Sequence, residues 1–273
     1  MPAYRLIAGV ALWGALGLLP GTLAPAHAEP APLPAAAQED LENLRDPAAL
    51  AELKRATDFL TGLPRFHIKA TVIYDVVQDD GRKLQFEKHG VISLQRPDRF
   101  FAEIELDDGR HRKLWYDGKM LSIAELSRKL HTRMSAPPTI DGTLDMLEKL
   151  FKDPMPIADI LYSDLSPVAQ RAFEADIVGD SLVNGRPCVQ LAFRGETVDW
   201  QIWVEKGDRP YIRKLVISYR EQPGTPQSVA MFEHWEAPAS FSEELFTFVA
   251  PAGSQWINVL APIAPESGKG GQP

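Results

Sequence analysis

Between Phe66 and Ala124 apolar and polar residues alternate with a period of two, and aspartate–glycine pairs repeatedly break the alternation. Side chains along a strand point to opposite faces in turn, so this pattern builds strands with one apolar and one wet face. Phe66, Ile68, Ala70, Val72, Tyr74 and Val76 fall on one side; His67, Lys69, Thr71 and Asp75 fall on the other. Asp79-Asp80-Gly81 turns the chain, and such residues tolerate the backbone a tight turn requires. Leu84, Phe86, Gly90, Ile92 and Leu94 return along the inward face, with Lys88 the exception. Pro97-Asp98 makes a corner, and Phe100, Ala102, Ile104 and Leu106 form a third strand. Asp107-Asp108-Gly109 and Asp117-Gly118 punctuate the runs His111–Tyr116 and Met120–Ala124, and Leu130–Met134 follows. Long one-sided strands joined by short turns predict an antiparallel meander. A sheet of that size curls, and curling encloses its apolar face.

The pattern resumes after residue 175. Asp176–Val183 meets Asn184-Gly185, the strongest short hairpin signal in the chain. Pro187–Phe193 returns; Trp200, Ile202 and Val204 alternate inward; Leu215, Ile217 and Tyr219 follow; Val229–Trp235 and Phe246–Val249 complete the set. The expected fold class is mainly β (α+β), a curled antiparallel sheet of about 10–11 strands. Trp203, out of phase with Trp200, reads as an exposed contact residue or as one covered by the N-terminal leader.

Helical periodicity appears in two places. Asp46 is a good N-cap and Pro47 suits the first helical position. Leu50, Leu53, Thr57 and Leu60 then recur on one stripe, and Gly62 and Pro64 end the run. The second place is the break between the two strand sets. Thr139–Phe151 carries Leu144, Leu147, Leu150 and Phe151 on one side; Met155–Tyr162 reads as a further short apolar helix among prolines 154, 156 and 167. This insertion is expected to plug or lid the concave face.

The ends predict export. Arg5, the apolar run Leu6–Leu19 and Ala26-His27-Ala28 make residues 1–28 a cleavable signal peptide. The run is shorter than the roughly 20 residues a membrane helix needs. With no cysteine near the cleavage site, a soluble periplasmic product is expected rather than a lipid-anchored one. Residues 29–45 read as a flexible leader, 46–260 as one domain and 261–273 as a disordered tail. The formal charge of −8 argues against nucleic acid as a partner. A single cysteine, Cys188, excludes an intrachain disulfide, so a packed core must hold the fold. Cys188 reads as a reactive thiol or as a buried small apolar side chain.

Signals for catalysis are weak. There is no glycine-rich phosphate loop, no Gly-x-Ser-x-Gly and no His-Glu-x-x-His. His67, His89, His111, His131 and His234 are scattered, and no catalytic residue, metal or cofactor is expected.

The order Phe66-His67, Gly90-Val91-Ile92-Ser93-Leu94-Gln95-Arg96-Pro97 and Trp115-Tyr116-Asp117-Gly118-Lys119 resembles outer-membrane lipoprotein carriers of the Lol type (LolA/LolB) and the N-terminal domain of RseB/MucB-type periplasmic regulators. Arg96-Pro97-Asp98-Arg99, Ala158–Asp164 and Val198–Glu205 are more similar still to a family of predicted periplasmic proteins of unknown function. The resemblance covers residues 45–255. It implies an incomplete half-barrel whose mouth is closed by helices, with an apolar cavity between them. In Lol carriers that cavity takes acyl chains, and the Arg before Pro bonds to the lid. The expected function is a non-catalytic carrier for an acyl chain or lipidated ligand; the alternative is an envelope protein-interaction or sensor module with a filled core. The expected cavity lining is Phe66, Ile68, Val72, Phe86, Phe100, Ile104, Leu147, Ile160, Leu161, Trp200, Ile202, Leu215 and Ile217, with Arg96 as lid latch or, alternatively, a strand-end surface residue. Expected partners are a hydrophobic ligand or lipidated protein, and an envelope protein; the expected state is a monomer.

Overall fold

The computed structural model describes residues 44–151 and 157–258. The expected signal peptide, most of the expected leader, residues 152–156 and the expected tail lie outside them. Twelve strands form one open sheet in the order β12-β6-β5-β4-β3-β2-β1-β11-β10-β9-β8-β7. The first meander comprises β1 (Arg65–Val77), β2 (Lys83–Gln95), β3 (Arg99–Leu106), β4 (His111–Tyr116), β5 (Met120–Glu125) and β6 (Leu130–Ser135). The second comprises β7 (Glu174–Val183), β8 (Arg186–Arg194), β9 (Val198–Glu205), β10 (Ile212–Tyr219) and β11 (Gln227–Glu236). The last strand of the second meander pairs antiparallel with the first strand of the first, His67 opposite Glu236 and Tyr74 opposite Ser228. The two meanders are therefore one surface. Its ends do not meet, so it is an incomplete half-barrel.

The turns are as the residue types demand. Asn184 (φ 49°) and Gly185 (φ 75°) both lie in the left-handed region, which a two-residue hairpin of the mirror-image type needs and this pair supplies cheaply. At Gly118 (φ 90°) a Cβ would sit 2.8 Å from a carboxylate oxygen of Asp98, so the turn also depends on glycine for space.

The concave face is apolar and helices cover it. Helix α1 (Pro47–Gly62) starts at Asp46, whose carboxylate accepts from the Ala48 N–H at 2.8 Å, and buries Ala49, Leu53, Ala56, Thr57 and Leu60. The Arg55 guanidinium donates to the carbonyls of Gly207 (2.9 Å) and Glu205 (3.2 Å), which fixes α1 over the β9 end of the sheet. Helix α2 (Ile140–Phe151) is anchored where β2 turns into β3. The Ile140 N–H donates to the Pro97 carbonyl at 3.2 Å, and the Tyr116 hydroxyl to the Pro137 carbonyl at 2.5 Å. A 3-10 turn (Ala158–Leu161) lies against α2, and a short helix α3 (Ser166–Gln170) lies against α1.

The convex side carries smaller clusters. Trp203 packs there with Val183, Cys188 and Val216 under the Lys214 ammonium, 4.5 Å from its ring centre. At 8 % exposure it is not a free contact residue; the leader that was the other expected cover lies outside the described residues. Toward the other end Trp115 meets Phe101 (5.6 Å) and Phe248 (5.2 Å), so residues after β11 wrap this face.

Three expectations about elements are corrected. Phe246–Val249 is not a strand: Phe246 ends a 3-10 turn (Glu243–Phe246) and packs edge-on against Phe241. The twelfth strand is instead Gln255–Trp256, parallel to β6. In the described part of Met155–Tyr162, only Ala158–Leu161 is helical, as one 3-10 turn.

Candidate functional site: the lidded concave face

The covered face of the sheet is the candidate site. Phe66, Ile68, Val72, Phe100, Leu147, Ile160, Leu161, Trp200, Ile202, Leu215 and Ile217 belong to one buried cluster, none more than 6 % exposed. They come from strands of both meanders, from α2 and from the 3-10 turn, so sheet and lid share one apolar interior. Trp200 stacks on Phe193 at 5.3 Å and an interplanar angle of 14°, and Phe66 tilts against Trp235 at 5.5 Å. Trp235 satisfies its indole N–H on the Ile212 carbonyl at 3.0 Å. Trp200 Nε1 is buried with no hydrogen-bond partner among the described residues. A buried donor without a partner costs about 1–3 kcal/mol.

Two expected lining residues stand apart. Ile104 is only partly buried at the edge of the cluster. Phe86 lies outside it and stacks on Tyr74 at 6.0 Å. The β1–β2 hairpin is thirteen residues long on each side and runs past the rim of the cup, leaving Leu84 exposed and Phe86 half-covered.

The lid hangs on polar contacts at its rim. Arg96, at the end of β2, donates from Nη1 to the Leu161 carbonyl and from Nη2 to the Tyr162 carbonyl, each at 3.1 Å. Burial lowers the pKa of this guanidinium and Asp141 opposes the shift; an arginine remains charged regardless. Asp141 in α2 accepts from the Ser163 N–H (2.9 Å) and hydroxyl (2.6 Å). The buried Tyr162 donates its hydroxyl to Asp145 at 3.0 Å, and burial followed by that carboxylate holds the phenol far above its ordinary pKa. Two carboxylates one helical turn apart in α2 thus tie the segment 162–163 to the helix. Asp159 is driven well above the usual carboxylate range, first by burial and then by Glu148, against the pull of Arg171. Beside it a cleft of about 20 Å³ opens among Tyr162, Leu165, Val168 and Arg171, room for about one water molecule.

Below the rim the lid reaches into the cup. A Cβ on Gly90, in mid-β2, would lie 3.8 Å from Ile157 Cδ1 and from the Ala70 carbonyl. Small residues at 70 and 90 hollow the sheet there, and Ile157 enters the hollow.

The sequence reading assigned no role to Asp141 or Asp145, and quoted Asp159 and Ser163 only as part of a family signature. The i, i+4 spacing of Asp141 and Asp145 was visible, but only the fold shows what they face. Helix α3 was also missed. Its signal is Asp164-Leu165-Ser166-Pro167: the Asp164 carboxylate accepts from the Ser166 N–H at 2.9 Å and proline opens the helix.

Other polar groups have structural duties. Cys188 is buried, and burial followed by Glu205 raises its thiol, the opposite of activation. Glu103, Glu105 and His111 bring potential ligand atoms within 4.8 Å on the outer face of β3 and β4. The Lys113 ammonium already sits 2.9 Å from Glu103, and His111 bonds the same carboxylate at 2.7 Å. Burial works to raise that carboxyl, but these bonds outweigh it and lower its pKa. His67 bonds Ser93 Oγ at 2.8 Å, and burial lowers its pKa against Glu236.

One curled sheet whose edges do not meet, capped by helices on its concave side, is an incomplete half-barrel. The model of a family described as predicted periplasmic protein (DUF2092) matches residues 49–260. The chain belongs to that family and is a periplasmic protein. No curated protein matches it in sequence. Among solved structures, lipoprotein LppX of Mycobacterium tuberculosis shares 12 % identity over 71 % of this chain and 98 % of its own, with TM-score 0.43. LprF from Mycobacterium bovis shares 14 % over 73 % and 98 %, with TM-score 0.48. The MucA/MucB complex of Pseudomonas aeruginosa matches at 14 % over 74 % of this chain and 62 % of that chain, with TM-score 0.40.

Proposed function

We propose that the protein is a non-catalytic periplasmic carrier whose apolar cup receives an acyl chain or a lipidated ligand when its lid swings away. The observation that carries this reading is how the cup is closed. An apolar sheet face spanning both meanders is covered by short helical pieces, and one of these is hung from a single guanidinium through two backbone carbonyls. Such a closure differs from a second packed sheet in what opening it costs. A few hydrogen bonds, each worth about 0.5–3 kcal/mol net, hold the rim; a hydrocarbon guest replaces in kind the apolar packing that the lid gives up as it opens. Arg96 is the latch in this reading. Phe66, Ile68, Val72, Phe100, Ile104, Leu147, Ile160, Leu161, Trp200, Ile202, Leu215 and Ile217 contact the guest, and Trp200 Nε1 offers a donor to an ester or carboxyl oxygen. Phe86, outside the cluster, is left out of the lining.

The close packing of the lid favours a second reading. With Ile157 seated over Gly90 and the lining buried, the core is filled by the protein itself and the molecule works through its surface as an envelope interaction module. Native mass spectrometry of protein purified from the periplasm separates the two. The carrier predicts a population heavier by one lipid, removed by organic extraction and restored by added fatty acid. Only unliganded protein, before and after addition, sinks the carrier reading.

A further inference from the structure

The two edges of the sheet are finished differently. At one, β12 lies along β6, with the Gln255 N–H on the Lys129 carbonyl (2.8 Å) and the Ile257 N–H on the His131 carbonyl (2.8 Å). At the other, β7 is bordered by β8 on one side, and on the outer side only Ala175 is engaged among the described residues. Its N–H donates to the Leu44 carbonyl and its carbonyl accepts from the Asp46 N–H. From Asp176 to Val183 no described strand lies along the outer side. An open edge of this kind offers backbone donors and acceptors to another chain, and proteins usually guard it with lysine, proline or a bulge. The strand Glu-Ala-Asp-Ile-Val-Gly-Asp-Ser-Leu-Val contains neither lysine nor proline; a register shift between Ile177 and Gly179 and its acidic side chains are what guard it.

The same edge gathers exposed apolar side chains. Ile177 is 41 % exposed, Val178 56 % and Leu182 71 %, and Leu44, at the bridge beside them, 48 %. These are four of the seven large apolar residues exposed among the described ones, brought to one border of a twelve-stranded sheet. Apolar side chains left exposed along one sheet edge favour contact with another chain.

We propose that the β7 edge is a docking site for an extended segment of another protein, which adds as a further strand and carries apolar residues together with a basic one. Charge selects this occupant. Glu174 is paired with Arg194 (3.2 Å) and Asp180 with Lys206 (2.5 Å), whereas exposed Asp176 has no ion pair among the described residues. The partner strand thus meets apolar surface at Ile177, Val178 and Leu182 and a free carboxylate at Asp176. A second copy of β7 would bring the same apolar side chains, but its only charged groups are the carboxylates of Glu174, Asp176 and Asp180. The protein's own leader brings Pro30, Pro32 and Pro34, which lack an N–H, and the acids Glu39, Asp40 and Glu42. The C-terminal segment leaves at the opposite edge, beside β6. Backbone pairing supplies affinity in such strand addition and alternate side chains supply selectivity. The site is distinct from the lid and does not depend on the carrier reading.

The test uses a short synthetic peptide alternating valine and lysine, the same peptide with glutamate for lysine, and the valine–lysine peptide N-methylated at alternate residues. Amide exchange of the whole protein is the readout. The proposal expects the first peptide to slow exchange along Asp176–Val183, the glutamate peptide to bind at least tenfold more weakly, and N-methylation to abolish protection. Asp176→Asn should reduce the preference for lysine over glutamate while leaving backbone protection in place. Leu182→Lys, on an exposed position, should weaken binding of the valine–lysine peptide without changing the unfolding midpoint. Protection elsewhere, indifference to N-methylation, or a concentration-dependent dimer protected along β7 without any peptide would each overturn the proposal.

Discussion

Arg96 is the residue on which the lid account turns. Its side chain was placed by resemblance and its contacts by the fold; composition or periodicity would have given neither. Arg96→Ala leaves two lid carbonyls without their donor and should cost about 1.5–3 kcal/mol, the range for hydrogen bonds to a charged group. Denaturant unfolding would read the cost, and amide exchange should quicken along residues 158–165 before it quickens in β1. Arg96→Lys should recover only part, because an ammonium cannot reproduce the two-pronged geometry. Asp159 gives a prediction of the opposite sign. Its carboxyl is raised by burial and by Glu148, so the folded state holds a proton that the unfolded chain releases at the ordinary aspartate pKa. Stability is therefore lost as pH rises from that ordinary value through the raised one, and stays reduced above it. Asp159→Asn should raise the melting temperature at neutral pH and leave it nearly unchanged near pH 3 (an acidity at which an ordinary aspartate is mostly protonated). An equal effect at both would contradict this assignment.

At the scale of elements, the strands were legible because each carries its own period and turn. The alternation Phe66–Val76 and the pair Asn184-Gly185 are local signals, and the sheet keeps both. The failures lie where a non-local contact decides. Phe246 and Phe248 have strand-forming types, yet what they meet is Phe241 and Trp115 rather than a strand neighbour. Phe86 obeys the inward alternation, but alternation gives the face and not how far along it the cup extends. The lid is similar: the apolar stripe of α2 was readable, whereas Asp141, Asp145 and Ser163 acquire meaning only when α2 and the 3-10 turn are side by side. Two predictions belong here. Leu147→Ala, at a fully buried position of α2, should destabilise by about 2–5 kcal/mol, as measured by chemical unfolding. Gly90→Ala should be tolerated, since its new Cβ makes only ordinary contacts at 3.8 Å, and removing a strand glycine returns about 0.5–1 kcal/mol. Gly90→Leu should instead evict Ile157 and lower the midpoint.

At the scale of the molecule, two meanders make one surface through the β1–β11 pairing, and the insertion between them becomes the cover. This division of labour explains how a single chain has an apolar interior without a second sheet. The interior is closed in this structure, so the carrier reading requires opening and exchange of lid side chains for a guest. The most direct measurement is an isotope-filtered NMR experiment with carbon-13 palmitate and protein labelled at its methyl groups. The account predicts intermolecular contacts from the acyl chain to the methyls of Ile68, Leu215 and Ile217, together with displaced Ile157 and Ile160 signals. Contacts confined to the outer face, or none at all with the lid signals unmoved, would contradict it.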